Sequence, residues 1–222
     1  MIRVAFFSLA CFALAACTSP GRREPTIGSR EPEAMALLEQ GKYKESLALF
    51  EQEAFRADGP NYRMLVGAAT CEAHLGHEDR FQLAALSAAS EAPWSEEAFL
   101  RLGHMYLTGA ERFRSLPSSR LYAELAVEYF RRVFAQDPEA PNLLHNLGLA
   151  LFLSGKAPAA ALMLARAHEE HPDNLATLET YLIVLHALGN KREVERLLEP
   201  MEAAGRLPEP WKATLRWAKT PG

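Results

Sequence analysis

Glycines recur at one place in a repeating frame, and that interval constrains the chain more than any other feature of its sequence. Gly41, Gly76, Gly155 and Gly189 each interrupt a helical pattern, Gly155 and Gly189 stand 34 residues apart, and Pro93, Pro138 and Pro172 each close a pattern. Glycine and proline at such intervals read as turns between paired helices. Setting glycine at position 15 of a 34-residue unit gives the frames 27–60, 62–95, 141–174 and 175–208, while 96–140 carries eleven extra residues near Glu111 to Leu121. No segment reads as a sheet, so the expected fold is all-α, a stack of helical hairpins each burying its apolar face against its neighbours.

The clearest unit is PNLLHNLGLALFLSGKAPAAALMLARAHEEHPDN, Pro141 to Asn174. It resembles the tetratricopeptide repeat, a 34-residue helix-turn-helix with preferred residues at positions 4, 7, 8, 11, 20, 24, 27 and 32. Here these are Leu144, Leu147, Gly148, Leu151, Ala160, Leu164, Ala167 and Pro172. Packing explains the choice: Gly148 and Ala160 are small where two helices cross, and the leucines fill the space between this pair and the next. The same frame selects Leu178, Tyr181, Leu182, Leu185, Val194, Leu198 and Met201 in the next unit, with Arg206 in place of the closing proline. It selects Leu65, Ala68, Ala69, Phe81, Ala85, Ala88 and Pro93 in the second unit, with Glu72 in place of the usual aromatic.

The long unit supplies Phe99, Leu102, Gly103, Tyr106, Ala126, Phe130, Val133 and Pro138. The first unit is degenerate, with a short opening helix after Pro32 and then Tyr43, Ser46 and Phe50. Past Pro208 and Pro210, WKATLRWA can form one more helix whose apolar side, including Trp211, Leu215 and Ala218, covers the last exposed repeat, as solenoids require. The resemblance therefore implies an α-solenoid superhelix of about five helix pairs plus a C-terminal capping helix, spanning residues 31–220.

The other end reads differently. Arg3 is followed by thirteen uncharged residues, Val4 to Ala16, which as a helix reach about 20 Å, short of the ~30 Å hydrocarbon core of a bilayer. With small residues at Ala15 and Ala16, residues 1–16 have the design of a signal peptide. Leu14-Ala15-Ala16-Cys17 also resembles the bacterial lipobox, matching at all four positions. That resemblance implies a mature chain beginning at Cys17, with diacylglycerol on its sulfur and a fatty acyl group on its amino terminus. Two or more acyl chains, at about 0.8 kcal/mol per buried CH₂, hold a protein stably on its membrane. Residues 17–30 comprise this cysteine and a Ser/Pro/Gly/Arg-rich linker in which Ile27 is the one large apolar residue. Its composition cannot bury enough to order itself, and its root-mean-square span is roughly 20 Å.

Composition excludes several functions. The net charge of −4, or −5 once residues 1–16 and Arg3 are removed, offers no field that gathers nucleic acid. With Cys11 in the leader and Cys17 acylated, Cys71 has no partner for a disulfide and reads as a small buried hydrophobe. Gly148 to Gly155 and Lys156 do not make a phosphate loop, because six residues separate the glycines and no Ser or Thr follows the lysine. His168 to His171 have their histidines three apart, not the four of a zincin. No small-molecule substrate, cofactor or enzymatic role is expected. The metal alternative is the turn His74, His77, Glu78 and Asp79, whose imidazoles and carboxylates are suited to a transition metal and would make a metal-dependent enzyme. The plainer reading is a solvated turn with acidic residues opening the next helix.

In the family resembled, the first helix of each pair lines the concave face through positions 2, 5, 9, 12 and 13. Carried over, this selects Arg63, His104, Asn142, His145, Glu179 and His186 as polar groove residues, interleaved with Val66, Leu100, Leu149, Phe152 and Ile183. An apolar groove with a few fixed polar groups suits an extended peptide or a partner helix. The insertion adds Arg112, Arg114 and Arg120 beside Phe113 and Leu116. It reads either as a contact site, since arginine with aromatics typifies hot spots, or as a loop folded back with its apolar side chains covered.

The whole resembles lipoproteins that assist tight-adherence pilus assembly and the pilotins of type IV pilus secretins. That implies a scaffold at the periplasmic face of the outer membrane, with pilus, secretin or other envelope proteins as partners. Thr18 after the cysteine, where many inner-membrane lipoproteins have Asp, points the same way. The alternative within the same class is a periplasmic adaptor for cell-wall hydrolases or proteases.

Overall fold

The structure, a computed structural model, describes residues 30–54, 61–140 and 142–220. Residues 1–29, where the expected signal peptide, the expected lipid attachment at Cys17 and the expected linker before Arg30 fall, lie outside the described residues. Eleven helices run through the described residues: α1 (Glu31–Glu39), α2 (Tyr43–Ala54), α3 (Tyr62–Leu75), α4 (Glu78–Glu91), α5 (Glu96–Arg112), α6 (Ser119–Gln136), α7 (Leu143–Leu153), α8 (Ala157–Glu170), α9 (Leu175–Ala187), α10 (Lys191–Ala203) and α11 (Glu209–Ala218). They form five hairpins and a terminal helix, as the repeat frame requires, and no strand occurs among the described residues.

Local chemistry sets the helix boundaries. Asn61, Ser95, Asn174 and Asn190 accept a hydrogen bond from a backbone N–H in the first turn of α3, α5, α9 and α10, which satisfies donors that no helical carbonyl can reach. Proline stands in the first turn of α1, α8 and α11, where its missing N–H costs nothing. Four hairpins turn at glycine in the same way. At Gly76, φ is 82°, its N–H donates to the Ala73 carbonyl and the His77 N–H donates to the Glu72 carbonyl. This left-handed closure, which a side chain would strain, recurs at Gly41, Gly155 and Gly189.

The third hairpin has no such glycine and turns differently. Its eleven extra residues do not form a projecting loop: α5 and α6 lengthen to 17 and 18 residues, and only 113–118 connect them. The turn is closed by the Ser119 hydroxyl donating to the Ala110 carbonyl at 2.8 Å, and by Phe113, which is buried against Phe81 at 5.5 Å and Tyr122 at 6.1 Å between ring centroids.

Packing follows a simple rule. Each second helix touches its own first helix and the first helix of the next pair, while first helices also touch one another in sequence, α1 to α3 to α5 to α7 to α9. Helices in direct lateral contact form the tighter, inner row, so α1, α3, α5, α7 and α9 line the concave side and the second helices spread outward. Phe50, Phe130, Leu164 and Leu198, one from each of four second helices, are fully buried between the rows. Small residues make room for them. A Cβ on Gly148 would stand 2.6 Å from Leu164 Cγ, and one on Gly103 would stand 2.6 Å from the Phe130 ring. In α4 the large and small residues trade places: Phe81 stands at the position Ala160 holds in α8 and Ala85 at the position of Leu164, and Gly109 of the lengthened α5 is the residue that accommodates the Phe81 ring. At the far end Leu215 and Ala218 of α11 are buried and Trp211 is half-buried, covering the last hairpin.

Candidate functional site

The residues that the repeat frame assigns to the groove fall into two groups. In the N-terminal half the assigned residue, Arg63, is neutralised by neighbours that the frame does not assign to the groove. Arg63 on α3 lies 2.7 Å from Glu97 on α5 and 3.9 Å from Glu31 on α1, and Arg101, one turn along from Glu97, lies 3.0 Å from Glu97 and 3.8 Å from Glu31. Two arginines and two glutamates thus tie three first helices together. Arg63 serves the solenoid itself, although the frame alone assigns it to a ligand.

The C-terminal half is apolar, with few hydrogen-bonding groups. His104 on α5 is solvent-accessible and meets the Phe130 ring edge-on at 5.4 Å. His145 on α7 is half-buried, its Nδ1 3.2 Å from the Thr177 hydroxyl of α9. Desolvation holds both imidazoles below their ordinary pKa, so they are neutral at neutral pH. Phe152 is half-buried against the core and Ile183 is 53% exposed. Glu179, one turn before Ile183 on α9, is exposed.

Two groove residues mark the edges of this surface. Asn142 precedes α7 with φ 59°, a left-handed conformation that asparagine tolerates better than most residues. Together with Ala140, His145, His171 and Thr177 it borders a cleft of about 40 Å³, room for a water molecule and far too small for a substrate. His186 lies at the other edge, its ring 4.1 Å from that of Trp217 on α11. Lys191 lies over the same indole at 5.6 Å and donates to the Thr220 carbonyl. The capping helix therefore covers part of His186, a contact that assignment by repeat position does not foresee because it comes from outside the repeats.

The insertion residues separate. Phe113 is buried, 4% exposed, which corrects its expected role as a partner contact: its ring is spent on Phe81 and Tyr122, closing a turn that lacks glycine. Arg112 donates to the His74 carbonyl at 3.3 Å, fastening the long hairpin to the turn of the previous one. Arg114 is exposed. The same joint employs Glu78, which accepts from the Tyr122 hydroxyl at 2.9 Å and from Ser118, while Gln82 donates to the Tyr122 oxygen at 2.7 Å.

The turn residues weighed as metal ligands are likewise engaged apart from one another. His74 stacks on Tyr43 at 4.2 Å, Glu78 faces Tyr122, and His77 Nδ1 lies 2.6 Å from Glu72. No group of three or more His, Cys, Asp or Glu among the described residues could hold a metal ion. Glu72 is what the frame left unexplained. It is 3% exposed where the repeat prefers an aromatic; its carboxylate is within hydrogen-bonding distance of His77 and lies 3.6 Å from the Arg80 guanidinium. The signal was present in the sequence: an acid at a core position demands a cation within a turn or two. Burial pushes the Cys71 thiol up to about 11, and it contacts the Ser46 hydroxyl at 3.4 Å, so it stays protonated and unreactive.

Comparison with known proteins agrees with this architecture. A tetratricopeptide repeat family model matches residues 32–102 and 123–174, more than half of the chain. No curated protein matches the sequence. Among solved structures, one described as "MamA MSR-1 C2" is similar at 17% identity over 86% of this chain and 95% of that one, with a TM-score of 0.55. A thermophilic repeat protein of Thermus thermophilus is similar at 18% identity over 84% and 94%, with a TM-score of 0.57. At such identities the likeness concerns the fold alone. With five hairpins, an inner row of first helices and a family model matching residues 32–102 and 123–174, the chain belongs to the tetratricopeptide repeat family.

Proposed function

We propose that this protein is a membrane-anchored scaffold whose concave face holds a protein component of a pilus or secretion machine at the periplasmic side of the outer membrane. The observation that supports a scaffold is the composition of the inner row: Leu149, Phe152 and Ile183 keep apolar surface accessible, beside a cleft too small for a substrate. A curved, partly apolar wall with isolated polar groups favours binding over reaction. No helix among the described residues is long and apolar enough to cross a membrane, so anchorage in this reading rests on lipid at Cys17. Its mechanism is positional: lipid and groove together raise the local concentration of the partner at the membrane, and no bond is made or broken.

Two experiments test the two parts. A photo-crosslinking residue at Leu149 or Ile183, on the full chain in intact cells, is expected to trap a pilus or secretin subunit, whereas the same probe at Leu162 on α8, 68% exposed on the outer row, is not. Trapping only from Leu162 would overturn the groove as the working surface. For the anchor, Cys17→Ala is expected to leave the precursor uncleaved by the lipoprotein peptidase and free of radiolabelled fatty acid; label entering the variant would refute it.

A further inference from the structure

We infer that the segment seated in the C-terminal half of the groove pairs apolar side chains with one basic side chain, and that Glu179 is the residue that reads the basic one. This deepens the groove reading above and rests on it. The argument begins from charge. On the N-terminal half of the inner row, Glu31, Arg63, Glu97 and Arg101 are engaged with one another. On the inner face of α7 and α9, the groove residues are Asn142, His145, Leu149, Phe152, Ile183 and His186, with Glu179 the one formal charge among them.

Glu179 is exposed and makes no ion pair among the described residues, while Lys191 beyond it is turned to Trp217 and Thr220. Ile183 follows Glu179 by four residues, so carboxylate and apolar surface share one face of α9. An occupant that covers Ile183, Leu149 and Phe152 must also take Glu179 out of water. An entirely apolar occupant would strand the carboxylate, an acidic one would repel it, and a lysine or arginine would complete it. His104 and His145 do not supply the missing positive charge at neutral pH, because desolvation keeps them neutral.

The test is peptide display against the purified full-length chain, run in parallel on wild type, Glu179→Lys and Ile183→Asp, with melting curves to establish that each variant is folded. Wild type is expected to enrich peptides carrying Lys or Arg among Leu, Ile and Phe, and Glu179→Lys to enrich Asp or Glu in that place. For one wild-type-selected peptide, Glu179→Gln is expected to weaken binding roughly fivefold, and Ile183→Asp to weaken it at least about tenfold. If Ile183→Asp releases the peptides but their charge preference is the same on wild type and Glu179→Lys, the role of Glu179 is overturned and the groove reading stands. If the enriched peptides are indifferent to Ile183→Asp, or none is enriched, both fall.

Discussion

The two halves of the concave face put the inner surfaces of their first helices to different ends. Across α1, α3 and α5 the positions nearest the helix starts carry Glu31, Arg63, Glu97 and Arg101, which bind one another and hold the first helices together. Across α7 and α9 the corresponding surface carries His145, Phe152, Glu179 and Ile183, with Ile183 and Glu179 left open to water. Position in a repeat decides which way a side chain faces, not whether it is available. Availability depends on what the neighbouring repeat places opposite, and a charge matched by the next hairpin is no longer free to choose a partner.

Between the halves stands the lengthened third hairpin, and the strongest way to break the comparison is to loosen it. Phe113→Ala removes a ring packed on Phe81 and Tyr122 and is expected to cost about 3–5 kcal/mol, read as a lowered denaturation midpoint. Were Phe113 a partner contact instead, stability would hold and binding alone would suffer. Next, Gly148→Trp drives an indole into the crossing where even a Cβ would stand 2.6 Å from Leu164 Cγ. A loss of at least about 1–3 kcal/mol is expected, and an unchanged melting temperature would contradict the packing beneath the apolar half.

A smaller effect sharpens the difference between halves. Arg63→Ala opens the ladder to Glu97 and Glu31, side chains that are all partly exposed, and so is expected to cost only about 0.5–1 kcal/mol, less at high salt. Peptide binding to the C-terminal half should be unaffected, and a loss there would mean that the charged half also receives the partner. The smallest effect is on pH dependence. Because desolvation lowers the pKa of His104 and His145 in the folded chain, the unfolded chain takes up more protons as pH falls below the ordinary imidazole value of 6.5. Their contribution to stability is therefore complete above that value and declines beneath it. Replacing both with Gln should flatten the fall in melting temperature between pH 7 and pH 5, and an unaltered slope would show that neither is desolvated.

Much of the fold could be read from spacing. Gly41, Gly76, Gly155 and Gly189 announce four of the five turns because a left-handed closure tolerates little else, and the apolar side of WKATLRWA announces a helix that covers an end. The third turn was harder. Eleven extra residues look like a loop when counted, but each helix could add turns because Phe113 and Ser119 close the connection without glycine. The groove was legible as a list of facing positions. That Arg63 is engaged with Glu97, 34 residues on, that Trp217 covers part of His186, and that Glu72 is matched by His77 depend on side chains brought together by stacking.

By itself, then, the sequence determined the period, the hairpins and the direction each helix face takes, because those follow from backbone turns and from the 3.6-residue repeat that acts within one segment. Which of the inward-facing groups remain free was decided only by the stacked hairpins. That outcome rests on distances between residues a full repeat or more apart, and on how much water each neighbour excludes.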